Sequence, residues 1–132
     1  MIYIWLNLGP ILAATALGLT VAVLWHKLPG APKLALGRPS LVIATSLAEF
    51  WLAAILAGAL ILAPKDQAGP WVMAIGSGVV IWAGFVLPTL LVSQLYRGTP
   101  AGHMTRDLGY WLVVMVAQAS LLQAIGLIPP PS

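Results

Sequence analysis

The stretch SLVIATSLAEFWLAAILAGALIL, Ser40 to Leu62, decides how the whole chain is read. It is long and apolar enough to form a membrane-crossing helix, for which about 20 residues suffice. Yet it carries a carboxylic acid, Glu49, nine residues beyond Ser40. At a helical rise of 1.5 Å per residue, Glu49 lies roughly 12–14 Å into a hydrocarbon core about 30 Å thick. That depth is beyond the reach of a short carboxylate to the headgroups. An ionised acid at such a place costs about 2.5–3.5 kcal/mol on insertion scales. Glu49 is therefore expected to face the bundle interior or a partner protein, and to hold its proton unless water or a cation reaches it.

The rest of the chain repeats the pattern. Of 132 residues 61% are hydrophobic and only 7% charged, against about 25% charged in an ordinary soluble domain. So few charges do not cover a water-facing surface, and the chain reads as a single all-α integral membrane domain, a four-helix bundle. The expected spans are about 8–25, 41–62, 71–96 and 108–128. No stretch is left over for a soluble catalytic or sensor domain. The N-terminal apolar run lacks a basic region before it and is expected to stay as a span.

Local chemistry marks the span ends. Asn7, Gly9 and Pro10 blur the start of span 1, where proline is tolerated in the first helical turn. Tyr3, Trp5, Trp25, Trp71 and Trp111 are placed as interfacial anchors, whereas Trp51 and Trp82 lie deeper. Ala14, Gly18 and Ala22 recur every four residues and form a smooth stripe suited to close helix contact within the subunit. The connection HKLPGAPKLALGRP, His26 to Pro39, holds three prolines and is not expected to be a continuous helix. Pro88 interrupts span 3 and should kink it. Pro129, Pro130 and Pro131 end the last helix in an extended tail.

Orientation follows from the basic residues. The first connection has Lys27, Lys33 and Arg38, the third Arg97 and Arg106, and the second only Lys65. Connections one and three share a side in a four-span chain, and that side is expected to be cytoplasmic. Both termini then face away from the cytoplasm, in the inner membrane of the cell. These same six residues account for the basic pI of 9.7. Their placement between spans argues against nucleic acid as a partner.

The candidate chemistry centres on Glu49. Thr45 and Ser46 share its helix face. Counted from the same end, Thr89 in span 3 and Gln118 in span 4 reach comparable depth, as does Thr15 in span 1. In one reading this cluster is a structural polar staple between helices. In the other, Glu49 relays protons or holds a cationic or polar ligand. His26 and His103 both fall on the cytoplasmic side and are candidate ligands for a haem, a pigment or a metal. No carboxylate spacing completes a metal site around them, so neither metal nor cofactor is expected. Absence of cysteine excludes disulfides, iron–sulfur clusters and thiolate sites. Arg106 and Asp107 read as a cap at the start of span 4. No Ser-His-Asp set, phosphate-cradling loop or paired carboxylates mark an enzyme.

From span 3 onward, Trp82-Ala83-Gly84-Phe85-Val86, Pro88-Thr89, Leu95-Tyr96-Arg97-Gly98 and Gly109-Tyr110 resemble the small bacterial four-span family called domain of unknown function 1761. Gly18, and Trp25 followed by a ring-bearing residue, resemble it too, while the first connection departs from it. The resemblance implies a four-helix membrane bundle and contributes no biochemical activity, because the family has no settled one. The residues themselves lead to three expectations. The first is a non-catalytic accessory subunit of a larger respiratory or photosynthetic type of membrane complex, with partner subunits and bound lipid at its helix faces. The second is a small oligomeric carrier or channel built on Glu49. The third is a pigment- or haem-binding protein.

Overall fold

The computed structural model describes residues 2–28 and 38–131. Among these the chain is all-helical, and four of its helices are long and apolar enough to cross a membrane. A short α1 (Ile2–Leu6) leads into α2 (Leu8–Trp25), which is span 1; α3 (Pro39–Leu62) is span 2. Span 3 is composite: α4 (Pro70–Ile81), a π-helical segment (Trp82–Val86) and α5 (Leu87–Tyr96). Span 4 is α6 (Ala101–Ile125). The expected non-helical path of the first connection, with Lys33, falls largely on 29–37, outside the described residues.

Prolines set the helix starts. Pro39 and Pro70 open α3 and α4 from within their first turns, and Pro100 sits just before α6. There the missing N–H has no intrahelical partner to lose. Span 4 accordingly begins at Ala101 and not at residue 108, so Arg106 and Asp107 lie inside the helix and do not cap it. Asp107 instead accepts a hydrogen bond from Gln94 Nε2 of α5 across the third connection. At the other end Gly126 takes φ 91°, a left-handed conformation open to glycine, and α6 stops before it.

Pro88 acts differently from a simple kink. Its ring would meet the carbonyl of the residue four back, Gly84. Span 3 widens by a π-turn just ahead of it, with the Leu87 N–H bonding Trp82 O five residues earlier. Such a bulge is a recognised answer to a broken α-ladder. Trp82, at its start, donates from Nε1 to Leu108 O at 3.0 Å and fastens span 3 to span 4.

Span 4 is the hub. It packs on spans 1, 2 and 3, whereas spans 1 and 3 lie on opposite flanks. Contact is close because the meeting faces are small. Ala14, Ala53, Ala54, Ala57, Ala74 and Ala119 are all essentially inaccessible, and Ile11, Leu56, Met115 and Leu122 fill the remaining space. The Ala14–Gly18–Ala22 stripe of span 1 is buried within the subunit, as its spacing predicts.

The end bearing both termini is clasped by Asn7. Its Nδ2 donates to Tyr3 O at 2.9 Å and Ile128 O at 2.8 Å, while Oδ1 accepts from the Ile128 N–H at 2.6 Å. Tyr3 in turn donates to Ala54 O at 3.0 Å. We expect Asn7→Ala to cost about 1–2 kcal/mol through the lost amide bonds. Denaturant unfolding in detergent measures that loss, and limited proteolysis should then cut the 126–131 tail sooner.

Candidate functional site

The centre of the bundle is polar at one place. Glu49 on span 2 is 1% exposed and Gln118 on span 4 is fully buried. Gln118 Nε2 donates to Glu49 Oε2 at 3.1 Å and to Ala14 O of span 1 at 3.1 Å. One amide thus ties three spans together. Room for it comes from Gly18, because a Cβ there would stand 2.6 Å from Glu49 Oε2 and 2.7 Å from Gln118 Nε2. The glycine of the span 1 stripe is therefore a notch for the acid–amide pair as well as a packing surface. Glu49 Oε1 and Gln118 Oε1 are buried without a hydrogen-bond partner.

Glu49 also forms the floor of a cleft of about 290 Å³ between spans 1, 2 and 4. Ala22, Trp25 and His26 line it from the end of span 1, and Thr45 and Glu49 from span 2. Span 4 adds Arg106, Asp107, Tyr110 and Trp111. Tyr110 is the middle of an aromatic group, with its ring centroid 5.7 Å from Trp25, 5.1 Å from Trp111 and 5.8 Å from His26. The cleft therefore runs from a charged rim, at the end with the first and third connections, down an aromatic wall to a carboxyl group. Beyond Glu49 the interior is closed by Ile11, Ala53, Ala57 and Met115, all in one buried apolar cluster.

The expected cluster is brought together in part. Glu49 and Gln118 meet directly, and Thr15 is buried nearby on span 1, its hydroxyl returned to Ile11 O at 2.8 Å. Thr45 lines the cleft, with its hydroxyl on Leu41 O, and Ser46 is half-buried. Thr89 is not part of the arrangement, because it lies on an exposed face of α5. Depth alone placed it level with Glu49, but azimuth turned it outward. His26 reaches the cleft and its Nδ1 lies 2.7 Å from Ala22 O, so Nε2 is its remaining ring nitrogen. His103 is exposed in the first turn of α6. Among the described residues no three His, Cys, Asp or Glu side chains gather as metal ligands.

Gly18, Trp25, Tyr110 and Trp111 are the site residues that sequence reasoning did not assign to the site. The signal for Gly18 was present as a glycine within the stripe, level with Glu49. That for the aromatics was hidden by their interfacial position, which reads equally well as anchoring. A second cavity, of about 350 Å³, sits at the opposite end among Leu60, Pro64, Lys65, Met73, Gln123 and Leu127. It is larger, and among the described residues its lining holds no acid, with Lys65 and Gln123 as its polar side chains. No protein-family model, no curated protein and no solved structure matches this chain.

Proposed function

We propose that this is a small carrier of the inner membrane that uses Glu49 as an intramembrane proton- or cation-binding acid. The single observation that supports the reading is the position of Glu49 at the foot of a cleft leading from a charged rim. Interior acids in membrane spans commonly mark proton and ion paths, because their burial is otherwise costly. Basic residues in the first and third connections support a cytoplasmic rim, with both termini on the far side. The residue pattern from Trp82 to Tyr110 supports kinship with the domain of unknown function 1761 family.

The test is proton movement. In proteoliposomes holding a pH-sensitive dye, an imposed membrane potential should drive internal acidification by the wild-type protein. We expect Glu49→Gln to slow it at least tenfold while eluting as a folded species of unchanged size. Equal rates for the two proteins would refute the carrier reading.

A second reading, an accessory subunit of a larger membrane complex, is supported by the uneven cover of the spans. In span 3 only 6% of the apolar window is buried, against 28–33% in the other three. Partner helices on that side would even the balance. On this reading the protein leaves the membrane in mild detergent with a stoichiometric partner, and isolation solely with copies of itself counts against it.

A further inference from the structure

We infer that the cleft above Glu49 binds a small organic ammonium ion, with Glu49 as counter-charge and Trp25, Tyr110 and Trp111 as the wall. The inference rests on the reading of Glu49 as the working acid, and it names what that acid meets besides a proton.

Size, lining and charge agree on this class of ligand. A cleft of about 290 Å³ lies just below the roughly 300–1,000 Å³ of drug-sized ligand pockets, which suits a smaller molecule. It is far more space than a bare ion fills. Its walls are the faces and edges of two indoles and a phenol, which attract weakly hydrated cations through their ring quadrupoles. Choline-like groups are held in this way, whereas a sodium ion keeps its water. Among the described residues the lining holds two carboxyl groups, Glu49 and Asp107, against one cation, Arg106. With Glu49 ionised, these three groups carry one net negative charge. One ammonium ion cancels it; an anion would double it.

The carboxyl group of this lining residue also keeps one oxygen unpaired. Gln118 engages Oε2 alone, and Oε1 is buried without a hydrogen-bond partner on a side chain 1% exposed. An ammonium N–H is the donor such an oxygen lacks, and a charge-assisted bond of this kind is among the stronger ones. The other groups that face Glu49 across the cleft or beside it are His26, Arg106, Asp107, Tyr110, Thr45 and Gln118. Occupation by an ammonium ion requires the ionised acid. A Glu49 that holds its proton therefore releases it when the ligand binds, and lower pH weakens the binding.

The experiment is calorimetry on the full chain in detergent, with 2-phenylethylammonium as probe, empty micelles as blank and 2-phenylethanol as the uncharged analogue. We expect saturable one-to-one binding of 2-phenylethylammonium at least tenfold tighter than of the alcohol. Titrations in buffers of different ionisation heat should show close to one proton released per ligand. Glu49→Gln should weaken binding at least tenfold and abolish the proton release. Glu49→Asp should keep the release at reduced affinity, which separates loss of the acid from loss of the fold. Trp111→Leu should weaken binding several-fold with the release intact. No binding, equal affinity for amine and alcohol, or binding indifferent to Glu49→Gln would each overturn the inference. If proton flux in proteoliposomes still depends on Glu49 while amines do not bind, this inference falls alone. If flux is also absent, the carrier reading beneath it falls too.

Discussion

Gly18→Ala should be among the most damaging single substitutions in the chain, although alanine is the better helix former by about 0.8–1.0 kcal/mol. The new methyl would stand 2.6 Å from Glu49 Oε2 and 2.7 Å from Gln118 Nε2, inside any real contact distance. Both atoms are side-chain tips, which elsewhere would swing aside cheaply. Here the tips are bonded to each other and both side chains are buried. Making room means parting the acid from the amide or moving span 1 off spans 2 and 4. Overpacking costs about 1–3 kcal/mol, and an interhelical polar bond in a membrane protein about 0.6–1.7 kcal/mol. Net of the gain in helix propensity, the expected loss is therefore about 1–4 kcal/mol in denaturant unfolding, and greater for Gly18→Leu. Gly76→Ala is the matched control. It lies in α4 with nothing within 4 Å of the position a Cβ would take, so the same substitution should leave stability unchanged or raise it.

That contrast shows what a chain of this kind discloses before it folds. Span number and approximate length follow from apolar runs and their prolines, since backbone polar groups in hydrocarbon leave helices as the available form. The importance of Glu49 was equally open, because one acid among aliphatic residues stands out on energetic grounds. Its pairing with Gln118 was reachable from depth, by counting along two parallel helices that start at the same end of the bundle. Azimuth was not reachable. Span 3 has apolar residues on nearly every side, so its rotation is decided by which face is small enough to approach span 4. Ala74 and Gly78 settle that. The π-turn before Pro88 then adds a further rotation to α5, and Thr89 ends on the exposed side. Asn7 was hidden for another reason. A polar residue near a span end reads as interfacial, and only the return of the C-terminal tail to its side chain reveals it as a clasp.

Gln118→Leu should destabilise the bundle by about 1–3 kcal/mol, because it removes the donor from Glu49 and leaves a buried acid with its remaining polar needs unmet. The double variant Glu49→Leu/Gln118→Leu should be closer to wild type than Gln118→Leu alone, within about 1 kcal/mol. Replacing both members of a buried polar pair by apolar groups of similar size is often neutral or stabilising. Ala14 O loses nothing essential, since its place in the α2 ladder already gives it a helical partner. Unfolding of the four proteins of this cycle, in one detergent, yields the coupling energy. The same four in proteoliposomes yield proton flux. A recovered fold with no flux in the double variant means that packing has no need of the acid and that its chemistry is the reason for the pair. A double variant that loses as much stability as both single losses together would instead show no coupling, with each residue holding the bundle through contacts of its own, and would remove the ground for a carrier. The coupling energy is far from zero in the first result and near zero in the second, so the role of Glu49 can be decided without first knowing its ligand.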